Sequence, residues 1–451
     1  MKQIRLFFIF LSMSAALCLQ AQDHSIIQEL SAVMSRVSTE RLRADIETLA
    51  GFHTRNTFSD TLSPTTGIGA ARRWLYRAFC DIAKQSGGRM TVEQDGFFWP
   101  VSGRYREAFG IDSIWVVNVV AVIHGSASER VLHINGHYDS RTYSGTDIEG
   151  FAPGANDDGS GTAALLELAR ILSKRPLRNT VVLAAVAGEE QGLMGSRHMA
   201  AEARKTGLLV EGVIANDMIG NIKGGDGQTS NTMLRCFSPD PSESPSRNWA
   251  LYLNRVSRQY VPDISLKMIF RLDRFGRGGD HSPFVNEGFA GVRFTEPYEN
   301  YTIQHSPDDI SQNMSFDYLT KTVRLNAALA AYWADAPAAP EIVSISRDSI
   351  YQTVITFLSS EDPKILKGFR LFTRETDQGY WTESHLVQIP EPVSHPIWGE
   401  VYQIRLVNRD QDYYNFGLAA VNRSEYESIA TTYDRAAIRE KIRQMRESKG
   451  R

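Results

Sequence analysis

The sequence predicts an α/β domain with a central mixed, mostly parallel sheet flanked by helices, followed by a small all-β sandwich. The first observation is that short, continuously apolar strands alternate with helical segments between residues 115 and 215, as in sheets that are covered on both faces. The second is a change of character at the Pro-rich segment 336–340, beyond which strand patterns succeed one another without an intervening helix. A chain of 451 residues is also too long for one hydrophobic core, so we expect two domains.

Residues 1–21 are predicted to be a signal peptide. A short basic start is followed by an apolar run over residues 6–19 that ends in Gln-Ala-Gln. This is the pattern of a secretory signal, and the run is too short to span a bilayer. We therefore expect cleavage after Ala21 and a secreted or periplasmic protein. A lipid anchor on Cys18 is the alternative, which is disfavoured because Leu17 stands where a small residue is expected.

Composition and charge exclude several classes of partner. The chain is 42% hydrophobic and 22% charged, which is ordinary for a globular protein, and its formal net charge is -3. That charge gives no electrostatic basis for binding nucleic acid or an acidic membrane surface, and no second apolar stretch is long enough for a transmembrane segment. Cys80 and Cys236 can form one bridge or stay reduced, and we expect packing roles because neither has redox or zinc-site spacing. The oligomeric state is left open.

The first domain is predicted to span residues 23–336. Apolar residues three and four apart predict an amphipathic helix over residues 26–50 and a second over residues 66–85. The elements that follow are predicted as strand 115–123, strand 130–135, helix 161–173, strand 179–187, helix 196–205, strand 208–215 and helix 318–334. In such a sheet, ligand sites gather at the carboxyl ends of the strands. Polar residues that directly follow a strand are therefore the candidates for chemistry.

The second domain is predicted as a β-sandwich over residues 341–433. Its strand patterns, separated by turn signals, cover residues 342–345, 351–358, 368–373, 400–407 and 414–421. The last of these resembles the penultimate strand of a fibronectin type III module. Residues 434–451 have a helical pattern with seven Lys or Arg against three Asp or Glu, which is typical of an exposed basic helix, while a contact for a partner is the alternative. We expect no chemistry in this domain.

Histidine and carboxylate groups gather where the predicted strands end. Such groups follow three of the strands and lie in one Gly-rich loop, and they are His137, Asp157, Glu189, Glu190 and Asp217. Taken singly, each has a structural explanation, because lone aspartates often cap helices and a pair of glutamates is usually solvated. Taken together, they form a set that no structural role requires and that the fold would bring to one place.

The chemistry of this set favours zinc. Nitrogen and oxygen ligands without thiolates suit Zn²⁺, although cobalt or manganese could occupy the same sites. Two such ions about 3.5–4 Å apart would lower the pKa of a water between them and stabilise both oxygens of a tetrahedral intermediate. A carboxylate beside that water could take its proton and pass it to a leaving amine.

Five segments in a fixed order resemble the family-28 zinc metallopeptidases, which implies the zinc exopeptidase fold. They are His137-Tyr138-Asp139-Ser140, Ala152 to Gly161, Glu189 to Ser196, Asn216-Asp217-Met218 and His305 to Asp309. The similarity runs from Ala50 to Ala334 and includes a loop at residues 275–284 that resembles a substrate-side loop. This family comprises secreted aminopeptidases related to glutamate carboxypeptidase, transferrin receptor and glutaminyl cyclase. The resemblance therefore implies a peptide substrate.

The resemblance also implies a ligand set for two Zn²⁺ ions. By position, one ion would be bound by His137 and Asp217. The other would be bound by Glu190 and His305. Asp157 would bridge the two ions.

Two further residues receive catalytic roles from the resemblance. Glu189 would be the general base toward a metal-bridging water that attacks the N-terminal peptide bond. Asp139 would fix the ring of His137, as ligand histidines usually require. The family also implies a cis peptide bond between Asp157 and Asp158, which is rare outside proline.

Candidate substrate-binding residues lie outside the ligand set. They are Arg271, Arg277, Asp280, His281 and Tyr301. The arginines of the loop 271–277 could bind a substrate carboxylate or acidic side chain, or could pair with Asp273 and Asp280. We favour pairing, because exposed arginines most often have modest structural roles. Tyr298 and Tyr301 are the candidates for stabilising an oxyanion.

Three other functions are alternatives to an aminopeptidase. A glutaminyl cyclase uses a related site, generally with a single zinc, so the full ligand set favours hydrolysis. In a glutamate-releasing carboxypeptidase, the arginine-rich loop would bind a carboxylate. A binding protein with an inactive peptidase fold, as transferrin receptor illustrates, is disfavoured because all five ligands and the base are retained.

Overall fold

The structure, a computed structural model, describes residues 25–127, 129–239, 241, 243–349 and 352–449. The predicted signal peptide lies outside the described residues. The chain divides into two compact units, one formed by Val33–Asp335 and the other by residues 25–32 together with those from Ala336 onward. The division falls at the Pro-rich linker. Among the described residues, no helix combines the length and the apolar character that crossing a membrane requires.

The larger unit is built on one eight-stranded mixed sheet. Its strands are β1 Met90–Pro100, β2 Ser113–Ile123, β3 Val131–His137, β4 Thr180–Val186, β5 Val210–Asn216, β6 Met233–Ser238, β7 Ser265–Phe270 and β8 Gly291–Thr295. Their order is β1-β2-β4-β3-β5-β8-β6-β7. Strands β4, β3, β5 and β8 are parallel, as are β6 and β7, while the other three pairings are antiparallel. The predicted mixed, mostly parallel sheet is confirmed.

The single helix predicted over residues 26–50 is two helices, so that prediction is wrong. Helix α1 covers residues 25–34, and α2 covers Thr39–Ala50. The side chain of Ser38 accepts a hydrogen bond from the backbone N–H of Arg41 and caps α2. A serine here satisfies a donor that the first helical turn leaves free. The apolar periodicity continues across the break and could not reveal it.

The remaining helices of the larger unit are α3 Gly67–Lys84, α4 Gly103–Phe109, α5 Gly159–Leu172, α6 Met194–Thr206, α7 Pro245–Tyr260, α8 His281–Asn286 and α9 Phe316–Asp335. Helices α3, α5, α6 and α9 correspond to predicted helices, and β2 to β5 correspond to predicted strands. The sequence analysis missed the helices α4, α7 and α8 and the strands β1, β6, β7 and β8. These missed strands lie toward the two edges of the sheet, apart from β8, which pairs with β5.

Close packing at the centre of the sheet positions the loop before α5. Strand β3 is buried along its whole length, and each large aliphatic side chain buried in this way contributes about 1.5–3 kcal/mol. Helix α5 packs against β3. A Cβ atom on Gly161, in its first turn, would lie 2.4 Å from the carbonyl oxygen of Asn216 at the end of β5. Glycine therefore allows the start of α5 to approach the carboxyl ends of the central strands.

The cysteine alternatives are resolved in favour of free thiols. Cys80 lies on α3 and Cys236 on β6, and neither is in a disulfide. Cys236 is fully buried, and burial raises the pKa of its thiol. A buried thiol of this kind behaves as a small hydrophobic packing residue.

The smaller unit is built from antiparallel sheets and a terminal helix. Its elements are β9 Glu341–Ser349, β10 Gln352–Leu358, β11 Leu366–Glu375, β12 Glu383–Val387, β13 Val393–His395, β14 Gly399–Val407, β15 Tyr414–Asn422 and α10 Arg435–Lys449. One sheet has the order β13-β14-β10-β9 and the other β12-β11-β15. Phe357 and Ile404 from the first sheet share a core with Phe369 and Leu418 from the second. The predicted small all-β domain is confirmed and consists of antiparallel sheets, whereas the resemblance to a fibronectin type III module stays a prediction.

Residues 25–32 belong to this smaller unit although we expected the first domain to begin at residue 23. The hydroxyl of Tyr426, just after β15, donates a hydrogen bond to Glu29 at 2.7 Å. Ile26 and Leu30 are buried on the same helix. The start of α1 is thus held by apolar burial and by a polar contact across nearly the whole length of the sequence.

Candidate metal centre

Three neighbouring strands bring the predicted ligands to one edge of the sheet. Strands β4, β3 and β5 lie side by side and parallel, so their carboxyl ends meet. The edge carries His137 at the end of β3, Glu189 and Glu190 after β4, and Asp217 after β5. Asp157, from the loop before α5, and His305, from the loop after β8, complete the group.

His137 faces two carboxylates on one side and a carbonyl on the other. Its Nε2 atom is 3.2 Å from Oδ1 of Asp157 and 3.8 Å from Oδ1 of Asp217. Its Nδ1 atom is 3.1 Å from the backbone oxygen of Asp139. Because a carbonyl oxygen only accepts hydrogen bonds, a neutral ring would carry its proton on Nδ1 and direct the lone pair of Nε2 toward the carboxylates. Burial opposes a charge on this ring, but the surrounding carboxylates raise its pKa well above the usual range.

His305 occupies the equivalent position on the opposite side of Asp157. Its Nε2 atom is 3.1 Å from Oδ2 of Asp157 and 3.0 Å from Oε1 of Glu190. Burial opposes a charge on the ring, but Glu190 and Asp157 raise the pKa of His305 to about 10. Asp157 thus directs one carboxylate oxygen to each histidine. Burial opposes its ionisation, yet the two histidines hold the pKa of Asp157 well below its usual range.

The donor atoms fit a metal ion. Three overlapping groups have ligand atoms that all lie within 4.8 Å of one another, namely His137 with Asp157 and Asp217, His137 with Glu189 and Glu190, and Asp157 with Glu190 and His305. Oε1 of Glu190 is buried and lies 3.0 Å from Nε2 of His305, yet it accepts no hydrogen bond of good geometry from the described residues, as expected for an oxygen whose partner is a cation. Nitrogen and oxygen donors without a thiolate are a set that zinc accepts.

The loop that carries Asp157 is fixed by the carboxylate of its neighbour. The peptide bond between Asp157 and Asp158 is cis, as the resemblance implied. The carboxylate of Asp158 accepts hydrogen bonds from the backbone N–H groups of His137 at 3.1 Å, Gly161 at 2.8 Å and Met218 at 3.2 Å. One side chain therefore ties together the end of β3, the first turn of α5 and the segment after β5.

Asp309, which is far from this loop in the sequence, also holds it in place. Its carboxylate accepts hydrogen bonds from the backbone N–H of Asn156 at 2.8 Å and of Asp157 at 3.0 Å. The amide of Gln304 donates to Oδ2 of Asp157 at 2.8 Å. Asp309 lies in the segment that resembles the family, but its role as an anchor of the Asp157 loop was not predicted.

Asp139 acts differently from the prediction. We expected it to fix the ring of His137, and the ring does contact Asp139, but through the backbone oxygen. The carboxylate is farther, with Oδ1 at 3.6 Å from Nδ1. Instead, the carboxylate accepts hydrogen bonds from the backbone N–H groups of Gly188, Glu189 and Glu190 at 3.0–3.3 Å. Asp139 therefore positions the turn that carries both glutamates.

Arg141 is a residue of this centre that the sequence analysis missed. Its Nε atom donates a hydrogen bond to Oε2 of Glu190 at 2.7 Å, and its terminal NH2 atom lies 2.9 Å from Nδ1 of His305. The contact occupies one oxygen of Glu190 and leaves the other facing His305. The only signal in the sequence was its position two residues after Asp139, which by itself indicates nothing.

Glu189 lies beside the proposed metal ligands. Its carboxyl group is close to the ring of His137 and to the carboxyl group of Glu190. Burial raises the pKa of Glu189 well above its usual range, and the negative charges of Glu190 and Asp217 add to this. A raised pKa makes a carboxylate a stronger base, which suits it to accepting a proton.

The cluster lines an open pocket of about 360 Å³. Acidic residues of the cluster and four arginines face it, namely Asp157, Glu189, Glu190, Asp217, Arg104, Arg141, Arg274 and Arg277. Neither Tyr298 nor Tyr301 lines this pocket in the described part of the chain. Tyr301 is 58% exposed, and its backbone oxygen accepts a hydrogen bond from Tyr143 at 2.7 Å. The structure therefore does not bring the two candidate oxyanion donors to the ligands.

The arginines of the loop 271–277 have three different environments. Arg271 stacks on the ring of Phe275, 3.6 Å from its centroid, and is outside the pocket lining. Arg274 pairs with Asp273 at 3.0 Å and with Glu299 at 2.7 Å. Arg277 lines the pocket and contacts Glu299 at 3.3 Å. The expected pairing with Asp273 thus holds for Arg274, while the partner Glu299 was not foreseen.

Asp280 and His281 support the loop and do not line the pocket. Asp280 accepts a hydrogen bond from the hydroxyl of Ser196, and burial raises its pKa to about 7. Nε2 of His281 donates to the backbone oxygen of Leu272 at 2.7 Å, and burial lowers the pKa of this ring. Both residues were candidates for substrate binding, and their side chains instead hold backbone and neighbouring side chains.

Comparison with known proteins assigns this centre to a family. Residues 118–330 match the sequence profile of peptidase family M28. A "Probable zinc metalloprotease" of Pyrenophora tritici-repentis is 32% identical over 433 residues, covering 89% of this chain and 96% of that protein. The LapA aminopeptidase of Legionella pneumophila has a similar fold, with a TM-score of 0.54 and 20% identity over 69% of this chain and 75% of its own. A glutaminyl cyclase of Macrostomum lignano also has a similar fold, with a TM-score of 0.51 and 18% identity over 67% of this chain and 91% of its own.

Proposed function

The chain belongs to the zinc metallopeptidases of peptidase family M28, and on this premise we propose that it is a secreted or periplasmic aminopeptidase that uses two zinc ions. The observation that carries the proposal is the position of Asp157. Its Oδ1 atom faces His137 at 3.2 Å and its Oδ2 atom faces His305 at 3.1 Å. A carboxylate placed in this way is suited to bridging two cations, each with its own histidine.

The remaining donors complete two sites of the same composition. His137 and Asp217 would hold one zinc ion, and Glu190 and His305 the other. Each site would then have one histidine, one carboxylate of its own and a share in Asp157, which leaves room for water and substrate. Zinc ions bound there would supply Lewis acidity, which polarises a peptide carbonyl and makes water acidic enough to attack at neutral pH.

Glu189 is the proposed general base. It lines the pocket beside the ligands, and burial raises its pKa, so it can accept a proton from the attacking water. The same carboxyl group can then deliver that proton to the amine of the departing peptide. Asp139 supports this role, because its carboxylate fixes the backbone N–H of Glu189 at 3.3 Å.

The fold does not choose between hydrolysis and cyclisation, since aminopeptidases and glutaminyl cyclases both resemble it. Two complete and symmetric donor sets favour hydrolysis, because two bound ions would supply Lewis acidity for both the water and the carbonyl. An inactive binding protein would have no need to keep the pocket, the base and every donor together.

The proposal is tested with the purified protein and a panel of amino-acid p-nitroanilides, their N-acetylated counterparts and peptides that begin with Gln. We expect release of unblocked amino acids only, loss of activity in a chelator and recovery with zinc. Plasma emission spectrometry should find two zinc ions per chain. Cleavage of the blocked substrates, or resistance to the chelator, would contradict the proposal. Release of ammonia from Gln-peptides without cleavage would indicate a cyclase.

Export is tested separately. The basic start and apolar run of residues 1–21 support secretion, and cleavage after Ala21 would leave Gln22 as the first residue. Mass spectrometry of the exported protein should find this amino terminus. A lipid-modified terminus at Cys18 would instead support membrane anchoring.

A further inference from the structure

With cations bound at the proposed ligands, the pocket beside them would carry more positive than negative charge. Four arginines line it, and the four acidic residues that line it are the proposed base and three proposed metal ligands. Once cations occupy the ligands, the acidic groups no longer balance the arginines. The balance of charge therefore depends on what else each arginine contacts.

Two of the four arginines, Arg141 and Arg274, contact polar side chains of the protein. Arg141 contacts Glu190 at 2.7 Å and His305 at 2.9 Å. Arg274 pairs with Asp273 at 3.0 Å and with Glu299 at 2.7 Å. Both guanidinium groups therefore have polar partners within the protein and stabilise the wall of the pocket.

Arg277 is different because, among the described residues, its one acidic partner is a carboxylate that other arginines share. It lies 3.3 Å from Glu299, a nearly buried carboxylate that also contacts Arg235 at 2.8 Å and Arg274 at 2.7 Å. Three guanidinium groups thus share one carboxylate. Arg274 has Asp273 as a second partner, whereas Arg277 has only its share of Glu299 among the described acidic residues. The side chain of Arg277 is 36% exposed and faces the pocket.

Arg104 supplies a second cation without an acidic partner. It lies on α4 and donates a hydrogen bond to the hydroxyl of Tyr105 at 2.8 Å. No ion pair with an acidic side chain joins it within the part of the chain that the structure describes. By contrast Arg106, on the same helix, pairs with Asp112 at 2.7 Å and does not line the pocket.

We propose that this pocket selects peptides with an acidic residue next to the scissile bond, and that Arg277 binds the substrate carboxylate with Arg104 as a second cation. The proposal rests on the proposed peptidase function. A guanidinium group presents two parallel N–H donors that match a carboxylate. A hydrogen bond to a charged group contributes enough to change kcat/KM by about tenfold to a hundredfold. A basic residue beside the bond would meet unfavourable charge instead.

The test compares matched substrates on the zinc-loaded enzyme. Glu-p-nitroanilide against Leu- and Lys-p-nitroanilide places the carboxylate on the released residue. Leu-Glu-amide against Leu-Gln-amide places it on the following residue. We expect kcat/KM to favour the acidic substrate by about tenfold or more in at least one of the two arms, and the preference to weaken at high salt.

Variants then assign the preference to Arg277. Arg277→Met should lower kcat/KM on the preferred acidic substrate far more than on the neutral one, and Arg277→Lys should restore part of it. Arg277→Glu should shift the preference toward lysine. Arg104→Met should have the effect of Arg277→Met in weaker form, and the control Arg106→Met should leave the ratio of acidic to neutral substrate unchanged.

The outcomes separate this inference from the proposed function. If neutral substrates are cleaved and neither acidic arm is preferred, the inference on specificity is wrong and the peptidase function stands. Equal losses on acidic and neutral substrates in Arg277→Met, without recovery in Arg277→Lys, would also overturn it. If the zinc-loaded enzyme cleaves no substrate of the panel, the proposed function itself fails.

Discussion

Arg293 holds one oxygen of Asp217 in the buried interior of the sheet. Its NH2 atom is 2.9 Å from Oδ2 of Asp217, and its NH1 atom is 3.1 Å from Oδ1 of Asp273. Arg293 is fully buried on β8, the parallel neighbour of β5. Although burial opposes its charge, the two aspartates raise the pKa of Arg293 above its usual range. A proposed metal ligand is therefore oriented by an arginine on the adjacent strand.

Replacement of this arginine should destabilise the protein strongly. Arg293→Met leaves Asp217 without its arginine and Asp273 with Arg274 alone, and breaking a buried ion pair in this way costs about 3–5 kcal/mol. Urea denaturation should show the loss in the free energy of unfolding. As a control, Lys84→Met removes an exposed ion pair with Asp81 and should leave the unfolding midpoint unchanged. A similar midpoint for both variants would show that Arg293 does not stabilise the interior.

The adjacent glutamates should respond differently to the same substitution. Glu189→Gln should abolish turnover and leave the zinc content unchanged, because the proposed base is not a ligand. Glu190→Gln should lose zinc as well as activity, because the carboxylate of Glu190 is a proposed donor to the metal. Metal analysis and kcat on the same preparations distinguish the two. Loss of zinc in Glu189→Gln would mean that the roles of the pair are exchanged.

Arg141 should affect the binding of metal and not the binding of substrate. Arg141→Met frees one oxygen of Glu190 and a contact of His305, and the loss of such an orienting partner typically weakens metal binding by 10- to 100-fold. Competition with a chromogenic chelator should measure this change. With saturating zinc, KM for a neutral substrate should return close to the value of the unmodified enzyme. An unchanged zinc affinity would exclude the orienting role.

His133 should make the free energy of unfolding depend on pH. Both ring nitrogens are buried without a hydrogen-bond partner among the described residues, and burial lowers the pKa of this histidine to about 3. As the pH falls below 6.5, the unfolded chain binds a proton that the folded chain cannot bind. Stability is therefore lost toward acid, by about 1.4 kcal/mol per pH unit between the two pKa values.

Removal of the titrating ring should flatten this dependence. His133 packs against Phe284 on the same face, so His133→Leu keeps an apolar side chain there. Urea denaturation between pH 7 and pH 4 should show the difference in stability between His133→Leu and the unmodified protein growing toward acid. The exposed His385 provides a control, and His385→Leu should not change the slope. Parallel slopes for all three proteins would disprove the role of His133.

The local pattern of apolar residues was sufficient to predict the central part of the fold. The strands β2 to β5 and the helices α5, α6 and α9 have strong apolar periodicity, and this periodicity depends only on neighbours in sequence. The order of strands and helices also predicted that polar residues at the strand ends would meet, because parallel strands place their carboxyl ends together. His137, Asp157 and Asp217 could be named on that basis.

The edges of the sheet and the helix boundaries were less predictable. Strands β1 and β7 combine buried and exposed positions, and β6 combines buried and half-buried positions, without a continuous apolar run, so their pattern is weak. The break at Ser38 depends on one capping hydrogen bond within an otherwise continuous apolar periodicity. Such features are decided by packing against elements that lie far away in sequence.

The sequence by itself determined the class of fold, the order of its central elements and the residues able to hold metal. Only the tertiary structure decided what each of these residues contacts. Arg141 reaches Glu190, Asp309 holds the Asp157 loop, and Arg277 shares Glu299 with two other arginines, none of which follows from spacing. The physical reason is that apolar periodicity is a local property of the chain, whereas hydrogen bonds and ion pairs depend on distances of a few ångströms between segments that only folding brings together.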